Sequence, residues 1–102
     1  MSGPEAIIEK HLKKEVEKAG GMCIKFTGQK DVPDRVVILN GITAFVEVKA
    51  PGVKPRASQK RMFGKMYDAG AIVFVLDSKE GVTEILRFMR LAEDPLVGVR
   101  PN

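Results

Sequence analysis

The stretch Val32-Pro33-Asp34-Arg35-Val36-Val37-Ile38-Leu39-Asn40-Gly41-Ile42-Thr43-Ala44-Phe45-Val46-Glu47-Val48-Lys49 contains two apolar runs separated by two residues. Asn-Gly between such runs is a strong hairpin signal, because a type I′ turn needs positive φ at both central residues. With Asn40 and Gly41 as the whole loop, Leu39 faces Ile42 and the numbers of each facing pair sum to 81. That register sets Asp34 opposite Glu47 on one sheet face, with Cβ atoms about 5 Å apart. Lys49, two residues further, shares the face. Two carboxylates and one ammonium therefore meet at the open end of the hairpin.

The rest of the chain builds outward from this hairpin. Pro4-Glu5 reads as a helix start, and Ile8, Leu12, Val16 and Ala19 then recur at helical spacing until Gly20-Gly21. Met22 to Phe26 reads as a strand and Thr27 to Pro33 as a polar loop. After Lys49, the prolines and glycine of Ala50 to Pro55 make a loop. Met62, Phe63 and Met66 mark a helix from Arg56 to Ala69, closed by Gly70. The apolar run Ala71 to Leu76 suits a strand buried on both faces. A last helix from about Ser78 to Leu91 turns Val82, Ile85, Leu86 and Met89 inward, and the tail from about 93 is irregular. The order α-β-β-β-α-β-α implies an α/β fold, a mixed sheet flanked by helices.

A chain of 102 residues is expected to be one domain. The longest uncharged apolar stretch, Gly70 to Leu76, is too short to span a bilayer. The N-terminus lacks the pattern of a signal peptide, so cytoplasmic residence is the simplest reading. The single cysteine, Cys23, excludes an internal disulfide and a multi-cysteine zinc site, and reads as a core residue. Net charge is +4. From Lys49 to Lys65 there are six basic residues and no acidic one. Such a stretch suits a polyanionic partner, although a solvated helix face has the same composition.

Facing carboxylates in a strand pair repel, and a hard divalent cation would offset that repulsion. Magnesium takes oxygen ligands, often one or two carboxylates with waters and substrate phosphate oxygens. It polarises a phosphoryl group and lowers the pKa of a bound water, which is the chemistry of phosphodiester hydrolysis. Lys49 is placed to orient that water or to stabilise transition-state charge. The plainer reading is a solvated Glu-x-Lys ladder with an aspartate at a turn; the cross-strand match of Asp34 to Glu47 favours the metal site.

Val32-Pro33-Asp34-Arg35 followed by Val46-Glu47-Val48-Lys49 resembles the PD-(D/E)xK nuclease superfamily. Lys25-Phe26, Val32 to Val37, Phe45 to Gly52 and Gln59 look more specifically like the VRR-NUC family of nuclease domains. The resemblance runs from about Glu5 to Gly81. It implies a restriction-endonuclease-like fold and hydrolysis of DNA with Mg2+ or Mn2+. By position, Asp34 and Glu47 are the implied metal ligands, joined by the backbone carbonyl of Val48, and Lys49 is the implied catalytic lysine. Gln59 matches the glutamine that follows the core motif. The family also places an acidic residue on the first helix, for which both Glu5 and Glu9 qualify; Glu5 fits the family's helix opening, whereas Glu9 fits the spacing of archaeal Holliday-junction resolvases.

The resemblance further implies a small phage or bacterial enzyme, acting as a homodimer on branched DNA in the manner of a Holliday-junction resolvase, in the bacterial host cytoplasm if phage-encoded. A flap, nick or single-strand nuclease, an exonuclease, or a DNA-binding module without catalysis are the alternatives. Lys25, Lys54, Arg56, Lys60 and Arg61 are expected at the DNA backbone rather than at base edges. His11 reads as a surface residue and Tyr67 as helix packing.

Overall fold

The computed structural model describes residues 3–91, so the tail read as irregular from about residue 93 lies outside the described residues. Seven elements follow in the expected order: α1 (Pro4–Lys18), β1 (Met22–Lys25), β2 (Arg35–Leu39), β3 (Ile42–Val48), α2 (Ala57–Asp68), β4 (Ile72–Leu76) and α3 (Lys79–Leu91). The four strands form one sheet in the order β1-β2-β3-β4. β1–β2 and β2–β3 are antiparallel, whereas β3–β4 is parallel, so the sheet is mixed.

Asn40 (φ 56°) and Gly41 (φ 79°) both take left-handed backbone, as a type I′ turn demands. The ladder then runs without a bulge from Leu39↔Ile42 to Arg35↔Val46, which is the register read from the turn. Asp34 stands one position beyond the last paired residue and aligns with Glu47.

Strand alternation sorts the side chains between two faces. Val37, Leu39, Ala44, Val46, Val48 and Leu76 face α1 and α3 and make the core with their apolar stripes, Ile8-Leu12-Val16 and Val82-Ile85-Leu86-Met89. Cys23 belongs to this core; burial pushes its thiol up, so it stays protonated and inert. α2 covers part of the other face, burying Phe63 and Gln59.

Two expectations are corrected. β4 is not buried on both faces: it is an edge strand, α2 leaves part of it uncovered, and Val75 is 47% exposed. Tyr67 is 71% exposed rather than packed. The inward line of α2 passes through Gln59, Phe63 and Met66, and Tyr67 is rotated off it. No helix among the described residues is long and apolar enough to cross a membrane.

Candidate active site

The end of the β2–β3 hairpin remote from Asn40-Gly41 gathers the charged side chains. Glu47 lies on β3, yet its side chain faces away from the core and is only 5% exposed because α2 packs over it. A buried carboxylate needs partners. Gln59 Nε2 donates to Glu47 Oε2 at 3.1 Å, and Lys49 Nζ lies 3.3 Å from the same oxygen. Gln59 Oε1 in turn accepts from Lys49 Nζ at 3.1 Å and from the Arg56 backbone N–H at 2.9 Å. The amide is therefore oriented by three partners. Its bond to the Arg56 N–H is the N3-to-N-cap half of a capping box, so a residue in the first turn of α2 also bridges Glu47 and Lys49.

Asp34 approaches from the other strand. Pro33 and Val48 are next to align beyond the paired residues, and because proline has no N–H it offers the Val48 carbonyl no ladder bond. The Val48 N–H donates to Asp34 Oδ1 at 3.2 Å, while the Asp34 backbone carbonyl accepts from the Phe26 N–H at 2.9 Å. Burial, and after it the neighbouring Glu47 carboxylate, push Asp34 up from its usual range to about 6; the Val48 N–H opposes this. The two carboxylates thus feel each other as the register required.

Glu9 and Glu5 part company. Glu9 is half-buried, and its charge adds to the upward push on Asp34. Its Oε2 accepts from Arg35 Nε at 2.6 Å. Glu5 is exposed in the first turn of α1. Among the described residues no three His, Cys, Asp or Glu side chains converge as a ready-made metal cage. Asp34 and Glu47 are the two carboxylates that could hold magnesium, an ion that keeps waters and completes its shell with substrate oxygens. Two neighbouring carboxylates, Glu47 buried and Asp34 partly so, are an electrostatic fit for a divalent cation.

Lys25, Lys54, Arg56, Lys60 and Arg61 are all exposed. Lys25 pairs with Arg35 and so stands at the site end of the sheet, while the other four surround the first turn of α2. Sequence reasoning did not anticipate two contacts. Arg35 is 9% exposed and secures Glu9; the signal was its parity with Val37 and Leu39, which makes position 35 face the core. Asp31 accepts from the Ser58 hydroxyl at 3.1 Å and lies 3.7 Å from the Arg56 guanidinium. No spacing rule announces a contact between a loop and a helix 27 residues away.

The element order is the one the sequence resemblance implied, and the hairpin register is the one counted from Asn40-Gly41. A protein named "Putative nuclease p44" from Acyrthosiphon pisum secondary endosymbiont phage 1 is 49% identical over 79 residues, covering 74% of this chain and 85% of that protein. A solved structure named "VRR_NUC domain" superposes with a TM-score of 0.75 at 32% identity, covering 84% of this chain and 97% of that one. No family model matches the chain. The chain belongs to the VRR-NUC family of nuclease domains.

Proposed function

We propose that the protein is a Mg2+- or Mn2+-dependent structure-specific endodeoxyribonuclease, a homodimer that cuts branched DNA in the manner of a Holliday-junction resolvase. The observation that carries the reading is the set Asp34, Glu47, Lys49 and Gln59, in which a buried carboxylate, a part-buried one and an ammonium share one hairpin end. Asp34, Glu47 and the Val48 carbonyl would hold the metal. Glu9 is better placed than Glu5 to join them, because it is already in electrostatic reach of Asp34.

When bound, the divalent ion supplies Lewis-acid polarisation of the scissile phosphate and a more acidic water. The chain's own residues do the rest. Asp34 must shed its proton to serve as a ligand. The Lys49 ammonium, held by Gln59 and Glu47, offsets the charge that develops on the phosphorane oxygens. Gln59 prevents the lysine from swinging away, which preserves its placement at no entropic cost during the reaction. Lys25, Lys54, Arg56, Lys60 and Arg61 would grip the DNA backbone around this centre. The sheet face left open beside α2 exposes Met22, Ile24 and Ile38, an apolar surface that supports pairing with a second copy.

The test is incubation of the purified protein with branched, duplex and single-stranded DNA, each with Mg2+, Mn2+ or EDTA, alongside its mass in solution. Metal-dependent cuts concentrated in branched DNA by a dimer are the expected result. Cleavage limited to flaps, single strands or ends would overturn the substrate, and the absence of any metal-dependent product would leave a DNA-binding module.

A further inference from the structure

We infer that Asp31 is a positioning residue for this site, clamping the loop that delivers Asp34 to the first turn of α2. The inference rests on the nuclease reading above. The site has two halves. Glu47 and Lys49 come from β3 and are tied to α2 by Gln59. Asp34 comes from the loop between β1 and β2, and its side-chain hydrogen bond, to the Val48 N–H, is at the long end of the normal range at 3.2 Å.

Asp31, three residues before Asp34, ties that loop to the same turn of α2. Its Oδ1 accepts from Ser58 Oγ at 3.1 Å and faces the Arg56 guanidinium at 3.7 Å. The Asp31 side chain is only 14% exposed, which shelters its bond to Ser58 from water, whereas the Arg56 guanidinium is largely in solvent and adds little. Asp31 also holds φ at 71°, a left-handed backbone that costs a non-glycine residue energy. The surrounding contacts must fix it there. Ser58 and Gln59 are adjacent, so a single helical turn grips the β3 half through one residue and the Asp34 loop through its neighbour. Sub-ångström changes in the spacing of such groups alter rates strongly, whereas binding along an exposed basic surface tolerates them.

Ser58→Ala removes the donor. Asp31→Gly removes the acceptor without straining the left-handed backbone. Both are expected to lower kcat at least fivefold, with KM for DNA and the melting temperature little changed. The double variant should be no slower than the slower single one. Asp31→Asn keeps an acceptor for Ser58 and tolerates the same backbone, so it should restore most of the rate lost in Asp31→Gly. The amide cross-peak of Val48, which reports on Asp34, should move in Ser58→Ala and Asp31→Gly in NMR spectra and stay near its place in Asp31→Asn. Unchanged kcat with an unmoved Val48 amide, losses that add in the double variant, or losses that merely track melting temperature would each overturn the clamp. A wild-type protein that cuts nothing would count against the proposed function instead, and the Val48 amide alone would then decide the clamp.

Discussion

Arg35 and Glu9 are joined at 2.6 Å, an ion pair that ties the first residue of β2 to the middle of α1 across 26 positions. Arg35 sits on the core face, where its charge would be costly without Glu9, and Glu9 without Arg35 would stand as an uncompensated charge near Asp34. Arg35→Met should therefore cost about 2 kcal/mol in urea unfolding, less than for a fully buried pair because Glu9 is partly wet. Glu9→Gln keeps an acceptor for the guanidinium and should cost clearly less. Equal losses in the two variants would show that the charge itself does not matter.

Asp34 gives a pH dependence of unusual sign. Its native pKa is raised to about 6 from 3.8, so between those values the folded protein holds a proton that the unfolded chain has released. Stability of the metal-free protein should accordingly fall as pH rises from about 4 to about 6. Asp34→Asn removes the penalty: it should be more stable than wild type at pH 7.5 and flat across that window, while cleavage falls by at least about 100-fold. Chemical denaturation at a series of pH values checks the first point. A wild-type protein that gains stability over the same window would contradict it.

Gln59 is expected to matter for both rate and fold. Gln59→Leu leaves Glu47 and Lys49 buried with fewer partners and deprives the Arg56 N–H of its acceptor, a loss of about 2 kcal/mol. Cleavage should drop by about 10- to 100-fold because the ammonium is no longer held. Gln59→Glu sets a second carboxylate against Glu47 and should be the less stable of the two at neutral pH. Thermal melts and single-turnover rates compare them directly.

Lys49→Ala should abolish cleavage while DNA affinity changes less than about threefold, since the exposed basic residues remain. Titration of labelled DNA in EDTA separates the two quantities. Retained cleavage would remove Lys49 from the reaction.

Two glycines give stability effects of opposite sign. A Cβ on Gly21 would lie 2.5 Å from the Ile38 carbonyl oxygen, a backbone atom that cannot move cheaply, so Gly21→Ala should destabilise by about 2 kcal/mol. Gly64 is inside α2 with nothing within 4 Å of an added Cβ. Gly64→Ala should therefore stabilise by about 0.7 kcal/mol through helix propensity and loss of unfolded-state freedom.

Much of this arrangement was legible because it is local. Asn40-Gly41 admits one tight turn, and a two-residue turn leaves one register, so the alignment of Asp34 with Glu47 followed from counting. Helical periodicity was equally explicit in Ile8-Leu12-Val16. What escaped reading depended on distance in space. An apolar run such as Ile72–Leu76 looks alike whether a strand lies at the edge or in the middle of a sheet; the open flank at Val75 is decided by where α2 lands. Glu5 and Glu9 share a helix and differ by one turn, so only Arg35, on a different element, distinguishes them. The Asp31–Ser58 contact is a meeting of a loop with the first turn of a helix that no periodicity encodes.

The side chain of Gln59 begins a helix and spans the site with the same few atoms. Helix nucleation and active-site assembly are in that sense one event. A nascent or partly melted chain has every acidic and basic residue of the hairpin, but without the first turn of α2 it lacks the amide that joins Glu47 to Lys49. On the proposed function, competence to cut would be withheld until the protein is folded, and local fraying of a single turn would withdraw it.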